Sequence, residues 1–398
     1  MTVGIAGADK QQTAEAGCPK PAVQGTIIDL FGIQRQTERL RPAIDERLAG
    51  VLDHGQFVLG PEVTELEARI ADFVGNSHVV TVSSGRDALV IALLAEGIGR
   101  GDAVFVPAFT FSASAEAVTS CGATPIFVDV DPDTFNMDAD CLEKTVRTVE
   151  GQSSLRARAV VAVDIFGLPA DYRLIREVAD THELFLVADA AQSFGGEMDG
   201  DKVGSLAPVT AFSFYPTKPL GGFGDGGALV CADRERAEHY RRLRLNGRGQ
   251  SGLQETEAGL SARLDTVQAA FLLCKLADFE EELARRREIA SRYGKLPADT
   301  VSPQKIPNGF ESAFALYSVQ CRNRDKLMKR LGEAGIMSRV YYPAPLHLHP
   351  AFRKYGFAEG DMPVSELLCS RILSLPMHAY LADEEVDRIC EAIRSAEL

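Results

Sequence analysis

From residue 60 to about residue 233 the chain alternates short apolar runs with helical stretches, and this alternation restricts the fold more than any other feature. "AVFVPAFTF", "TPIFVDVDP", "ARAVVAVDIFG", "LFLVADAA", "VTAFSFYP" and "GALVCAD" are nearly continuous apolar runs, as strands buried on both faces require. Between them, "PEVTELEARIADFVG", "RDALVIALLAEGIG", "SASAEAVTSCG" and "DYRLIREVADTHE" carry helical spacing. "SHVVTVSSG" is a further short strand that breaks into a turn. The pattern predicts an α/β domain with a mostly parallel sheet flanked by helices. After residue 233 the chain turns helical, and "RLDTVQAAFLLCKLADFEEELARRREIASRYG" reads as one long amphipathic connector. "FALYSVQCRNRDKLMKRLGEAGIMSRVYYP" returns to a β-α-β pattern. The expected organisation is a flexible arm over 1–25, a large α/β domain over 26–285 and a smaller C-terminal α+β domain over 286–398.

The formal net charge of −14 argues against nucleic acid or an anionic membrane as the main partner. No apolar run approaches the length of a membrane span, and no signal peptide is visible. The eight cysteines form no C-x-x-C pair and sit mostly in apolar runs, as expected of reduced thiols in a cytoplasmic protein. The histidines offer no metal-binding spacing beyond "HLHP" (His347, His349), and no metal is expected.

Ligands of α/β sheets bind beyond the carboxyl ends of the strands. Four loops lie there. "SSGRDA" joins a strand to a helix, so its backbone N–H groups suit a phosphate, although alone it also reads as a plain turn. "PAFTF" offers Phe111, which alone also reads as core. In "VADAAQSFG", Asp189 ends an apolar strand, where a carboxylate is costly without a cation or donor; helix capping is the alternative. In "SFYPTKPLGGFGDGG", Lys218 is followed by five glycines in nine residues, which suggests a close approach by something. A carboxylate, an amine, an aromatic ring and an anion cradle at one sheet edge meet the needs of pyridoxal 5'-phosphate.

These motifs, with "GQFVLGPEVTELE", "ARLDTVQAA", "YYPAPLHLHPAF" and "LSLPMH", resemble the DegT/DnrJ/EryC1/StrS family of nucleotide-sugar aminotransferases from about residue 27 to the C-terminus. The resemblance implies the pyridoxal-phosphate transferase fold type I. It implies Lys218 as the Schiff-base lysine and Asp189 as partner of the ring nitrogen. Phe111 would stack on the ring, and Gln192 would contact its other face or phenolic oxygen. Gly85, residue 86 and Ser213 would hold the phosphate. Arg263 would reach the neighbouring subunit's phosphate, which implies a homodimer with shared active sites. Arg86 stands where the family usually has Thr, and Ala188 where it often has Glu. Dehydratases of the family replace the lysine with histidine; here it is Lys218.

The resemblance further implies L-glutamate as amino donor and a nucleotide-linked keto sugar, best a 3-keto sugar, as acceptor for amino-sugar, polysaccharide or antibiotic biosynthesis. Arg241, Arg242, Arg244 and Arg248 are candidates for its phosphates, or else a solvated helix face. Tyr341, Tyr342, His347 and His349 are candidates for the sugar pocket. A keto-cyclitol acceptor and a non-catalytic regulator are the rival readings.

Overall fold

The computed structural model describes residues 27–76, 78–249 and 254–396; the arm over 1–25 lies outside them. Seven strands form the central sheet: β1 (His78–Val82), β2 (Asp102–Pro107), β3 (Thr124–Val128), β4 (Arg156–Val163), β5 (Phe185–Asp189), β6 (Val209–Ser213) and β7 (Gly227–Cys231). Their order is β1-β7-β6-β5-β4-β2-β3. Only β7 runs antiparallel to its neighbours β6 and β1. The other pairings, β2–β3, β2–β4, β4–β5 and β5–β6, are parallel. The sheet is thus mostly parallel, as the apolar runs predict.

The period-two geometry of a strand sends alternate side chains to opposite faces. In β4, Val160 and Ala162 enter one apolar cluster, while Ala159, Val161 and Val163 enter another. The first cluster takes in the apolar faces of α1's neighbour α2 (Pro61–Val74), where α1 is Ile33–His54. The second takes in α3 (Gly85–Ala95) and α4 (Ala113–Ser120). Burying each Val or Leu contributes about 1.5–3 kcal/mol, so a sheet covered on both faces is the arrangement these runs favour.

One expectation changes. The connector is two helices, Thr266–Ala277 and Phe279–Tyr293, broken at Asp278 (φ −104°, ψ 10°). Three glutamates, Glu280, Glu281 and Glu282, fill the first turn of the second, where the helix dipole favours negative charge. A boundary at 285 falls inside that helix. In the C-terminal part, strand Tyr317–Gln320 pairs with Ile372–Leu375, and Arg339, after helix Arg324–Glu333, bridges Ser374 of that same strand, in keeping with the β-α-β pattern. Ile28, near the start of the described chain, packs into this C-terminal cluster.

Candidate active site

The parallel strands end on one edge, and their loops enclose a cavity of about 680 Å³. Gly85, Arg86, Phe111, Asp189, Gln192, Ser213, Lys218 and Tyr342 all line it. With Tyr341, nine of the sequence-selected positions, drawn from loops of the α/β part and from the C-terminal part, therefore meet in one place.

Asp189 ends β5 and is buried. Ser114 Oγ, on the first turn of α4, donates to its Oδ2 at 2.6 Å, and Ala191 N–H lies 3.3 Å from Oδ1. Burial raises the Asp189 pKa above the ordinary carboxylate value; the Ser114 hydrogen bond, the Ala191 N–H and the Lys218 charge work against that rise. Lys218 responds in the opposite sense. Desolvation pushes its ammonium down to about 8, and the nearby Asp189 charge limits the fall. Phe111 is 55% exposed, an unusual state for a phenylalanine, and it borders the cavity. Its ring lies 6.2 Å from that of Tyr342.

The phosphate-type cradle is shaped by a close approach. A Cβ on Gly85 would stand 2.6 Å from Ser213 Cβ, so only glycine lets the α3 N-terminus meet β6 here. Ser84 caps that helix by accepting from Asp87 N–H at 3.0 Å. Arg86 Nη1 lies 3.7 Å from Glu116 Oε2, a loose contact between half-exposed groups.

Gln192 is fixed from behind. Phe166 N–H donates to its Oε1 at 3.0 Å, which turns its amide nitrogen toward Tyr342 Oη, 3.4 Å away. Sequence reading passes over the group beneath it, Asp164. This fully buried carboxylate accepts from Ser193 Oγ (2.5 Å), Tyr172 Oη (2.6 Å) and Ala170 N–H (2.8 Å). Burial pushes its pKa up to about 7 against those three donors. Asp164 follows β4 as Asp189 ends β5, so the same signal, an acid closing an apolar run, was available.

The glycines after Lys218 have another cause than a ligand. A Cβ on Gly221 would meet the Pro216 carbonyl at 2.6 Å, on Gly222 the Gln268 side chain at 2.8 Å, and on Gly227 the Ser84 backbone at 2.6 Å. The close approach is the protein's own packing.

Other candidates do not reach this cavity. His347 is fully buried and contacts Glu366 Oε1 at 3.0 Å, so it braces the fold and does not line the sugar pocket. His349 contacts the Ala344 carbonyl at 3.2 Å. Arg244 is buried against Glu67 (2.7 Å) and the Thr81 carbonyl (2.7 Å). Arg241 donates to the Val79 carbonyl at 3.2 Å, Arg242 to Glu257 at 3.3 Å, and Arg248 lies 3.7 Å from Glu255. Arg263 donates to Ser261 Oγ at 2.6 Å, outside the cavity of its own chain. Tyr341 does line the cavity.

The donor set fits pyridoxal 5'-phosphate: a lysine of depressed pKa, a buried carboxylate, an exposed ring and a glycine-bounded cradle open onto one space. Comparison with known proteins agrees. The model of the DegT/DnrJ/EryC1/StrS aminotransferase family matches residues 38–394. A UDP-2-acetamido-2-deoxy-3-oxo-D-glucuronate aminotransferase of Pseudomonas aeruginosa is 38% identical over 92% of this chain and 99% of its own. A dTDP-3-amino-3,4,6-trideoxy-alpha-D-glucose transaminase of Streptomyces venezuelae is 40% identical over 92% of this chain and 95% of its own. The crystal structure of a family aminotransferase from Brucella abortus superposes with TM-score 0.90 at 43% identity, covering 92% of this chain and 98% of that one. The chain belongs to the DegT/DnrJ/EryC1/StrS family and is a pyridoxal-phosphate-dependent aminotransferase of fold type I.

Proposed function

We propose that this aminotransferase moves an amino group from L-glutamate to a 3-keto sugar carried on a nucleoside diphosphate. The observation that carries the reading is the pairing of Lys218 with Asp189 in a cavity whose relatives act on UDP- and dTDP-linked 3-amino or 3-oxo sugars.

In this reading Asp189 takes the ring N–H, Phe111 stacks on the ring and Gln192 Nε2 donates to its oxygen. The N–H groups of Gly85 and Arg86, with Ser213 Oγ, hold the phosphate at the α3 N-terminus. Once bound, the cofactor supplies a ring that withdraws electrons from a carbon bearing an amine. The protein's part is acid–base work and orientation. Lys218 Nζ takes the proton from the donor's α-carbon and returns one on the acceptor side. With a pKa of about 8 its amine is available near neutral pH, as base chemistry requires. The Ser114 hydrogen bond favours the ionised form of Asp189 and opposes the rise that burial gives its pKa.

Arg263 lies outside its own cavity, which suits the proposed role in the site of a partner subunit within a homodimer. Seven free cysteines among the described residues suit the cytoplasm. No helix among them is long and apolar enough to cross a membrane.

The first test is the visible spectrum of the purified protein with and without L-glutamate. The reading expects a yellow band that bleaches with glutamate and returns with a UDP- or dTDP-linked 3-keto sugar. A band that ignores glutamate would leave the enzyme class and remove the donor. Transfer to a keto-cyclitol without affinity for UDP or dTDP would overturn the nucleotide assignment.

A further inference from the structure

One cavity-lining residue comes from outside both the strand-end loops and the C-terminal segments. Phe31 borders the cavity and is half-buried against the apolar cluster beneath it. It sits on a six-residue strap, residues 27–32, that is pinned on both sides. Ile28 N–H donates to the Gly335 carbonyl at 3.0 Å, and Met337 N–H to the Ile28 carbonyl at 3.0 Å. Met377 N–H donates to the Leu30 carbonyl at 3.1 Å. Asp29 Oδ1 accepts from Gly32 N–H at 2.8 Å and stands 3.0 Å from His378 Nε2. Gly32 takes a left-handed φ of +63°, and a Cβ there would strike the His378 ring at 2.4 Å. The chain therefore turns from strap into α1 at a fixed point, and the residue before the turn is held at the cavity wall.

The lining has two characters. Arg86, Asp189, Gln192, Ser213 and Lys218 supply the polar side, from the strand ends. Phe31, with Leu316, Val340 and Tyr341, supplies an apolar and aromatic side. A cofactor held by the polar groups would share the cavity with an acceptor, and the second set would be left to border that acceptor. The C–H face of a pyranose ring suits such a wall, because an aromatic face is electron-rich and C–H hydrogens are electron-poor.

We propose that Phe31 is a specificity-determining residue that bears on the sugar ring of the acceptor, set in place by the Asp29–Gly32–His378 contacts. This rests on the nucleotide-sugar reading above. It concerns the ring and not the nucleotide.

The test is calorimetric titration of cofactor-loaded protein with UDP, UDP-N-acetylglucosamine, dTDP and dTDP-glucose. Wild type should bind at least one sugar nucleotide more tightly than the corresponding bare nucleotide. Phe31→Ala should weaken that sugar nucleotide about 10-fold and leave the bare nucleotide unchanged. Phe31→Leu keeps an apolar filler for the strap and removes only the flat face; it should weaken the sugar nucleotide about threefold, and it guards against a fold failure in the alanine variant. An equal loss for sugar nucleotide and bare nucleotide, or no loss in either variant, overturns the proposal. If wild type gains nothing from the sugar, the acceptor reading itself fails and takes the proposal with it.

Discussion

Ser114 Oγ donates to Asp189 Oδ2 at 2.6 Å, from the first turn of a helix to the end of a strand 75 residues away. The hydroxyl is the strongest influence opposing the burial that raises the Asp189 pKa. A hydrogen bond to a charged group is worth about 1.5–3 kcal/mol. Ser114→Ala should therefore raise the Asp189 pKa further and cut kcat/KM about 10-fold or more, with Tm also lowered because a buried carboxylate oxygen loses its donor. Steady-state kinetics beside a thermal melt checks this. Equal activity would mean that Asp189 needs no help to stay ionised.

Lys218 gives a prediction with a definite sign. Only the neutral amine can attack, and its pKa is lowered to about 8. The rate at which the cofactor-free protein captures pyridoxal 5'-phosphate should rise with pH and level off above a midpoint near 8. Asp189 raises the Lys218 pKa, so Asp189→Asn should move the midpoint below the wild-type value. Lys218→Ala should abolish both capture and turnover, not merely weaken binding. Stopped-flow absorbance across pH reads all three. A midpoint at the ordinary lysine value would show that the amine is solvated.

Gly85 tests the cradle. A Cβ would stand 2.6 Å from Ser213 Cβ, and both atoms belong to the backbone-anchored part of their residues. Either β6 or the α3 N-terminus must shift. Overpacking of this kind costs about 1–3 kcal/mol. Gly85→Ala should lower cofactor affinity about 10-fold, measured by equilibrium dialysis, with a smaller effect on Tm.

Asp29 links stability to pH. Its pKa is lowered, first by the His378 contact and then by that histidine's charge and the Gly32 N–H, against the opposing effect of burial. A carboxylate whose folded pKa is depressed stabilises the fold above its unfolded pKa, and the contribution is lost as pH falls through the folded value. Asp29→Asn should lower stability at pH 7, by no more than about 1 kcal/mol because the side chain is partly exposed and screened. The difference from wild type should shrink below about pH 4. Thermal melts from acid to neutral pH show whether the two curves converge.

What the sequence reveals follows from the range of the interactions. The strands were legible because burial on both faces leaves a local record, an apolar run such as "AVVAV". Asp189 and Lys218 were legible because each breaks a strong local pattern. The arginines of "YRRLRLNGR" were not, since their partners are remote: Arg244 meets Glu67 across 177 residues. The glycine run does signal a close approach, but the groups that approach are Pro216, Gln268 and Ser84, and sequence spacing carries no trace of Gln268 folding back onto it. "HLHP" carries no sign of the partner of His347, because Glu366 lies 19 residues on and meets it inside the core.

Arg86 is where this chain departs from its family's usual threonine, and it gives the last prediction. The lining of the cavity carries two basic side chains, Arg86 and Lys218, and two acidic ones, Asp189 and Asp225. If Lys218 bonds the cofactor as proposed, Arg86 would be the basic side chain of this chain's own cavity lining left to face the phosphate. Its ion pair with Glu116 is long at 3.7 Å and half-exposed, so this contact does little to oppose a move toward the phosphate. Arg86→Thr should restore a hydroxyl and remove the charge. Affinity for pyridoxal 5'-phosphate should then fall severalfold at low salt, and the gap from wild type should close toward about 1 M salt, where screening acts within about 3 Å. Glu116→Gln frees the guanidinium and should tighten binding. Pyridoxal, which lacks the phosphate, should bind all three proteins alike. If Arg86→Thr loses affinity for pyridoxal and its phosphate equally, the guanidinium acts on the shape of the loop and not on the phosphate charge.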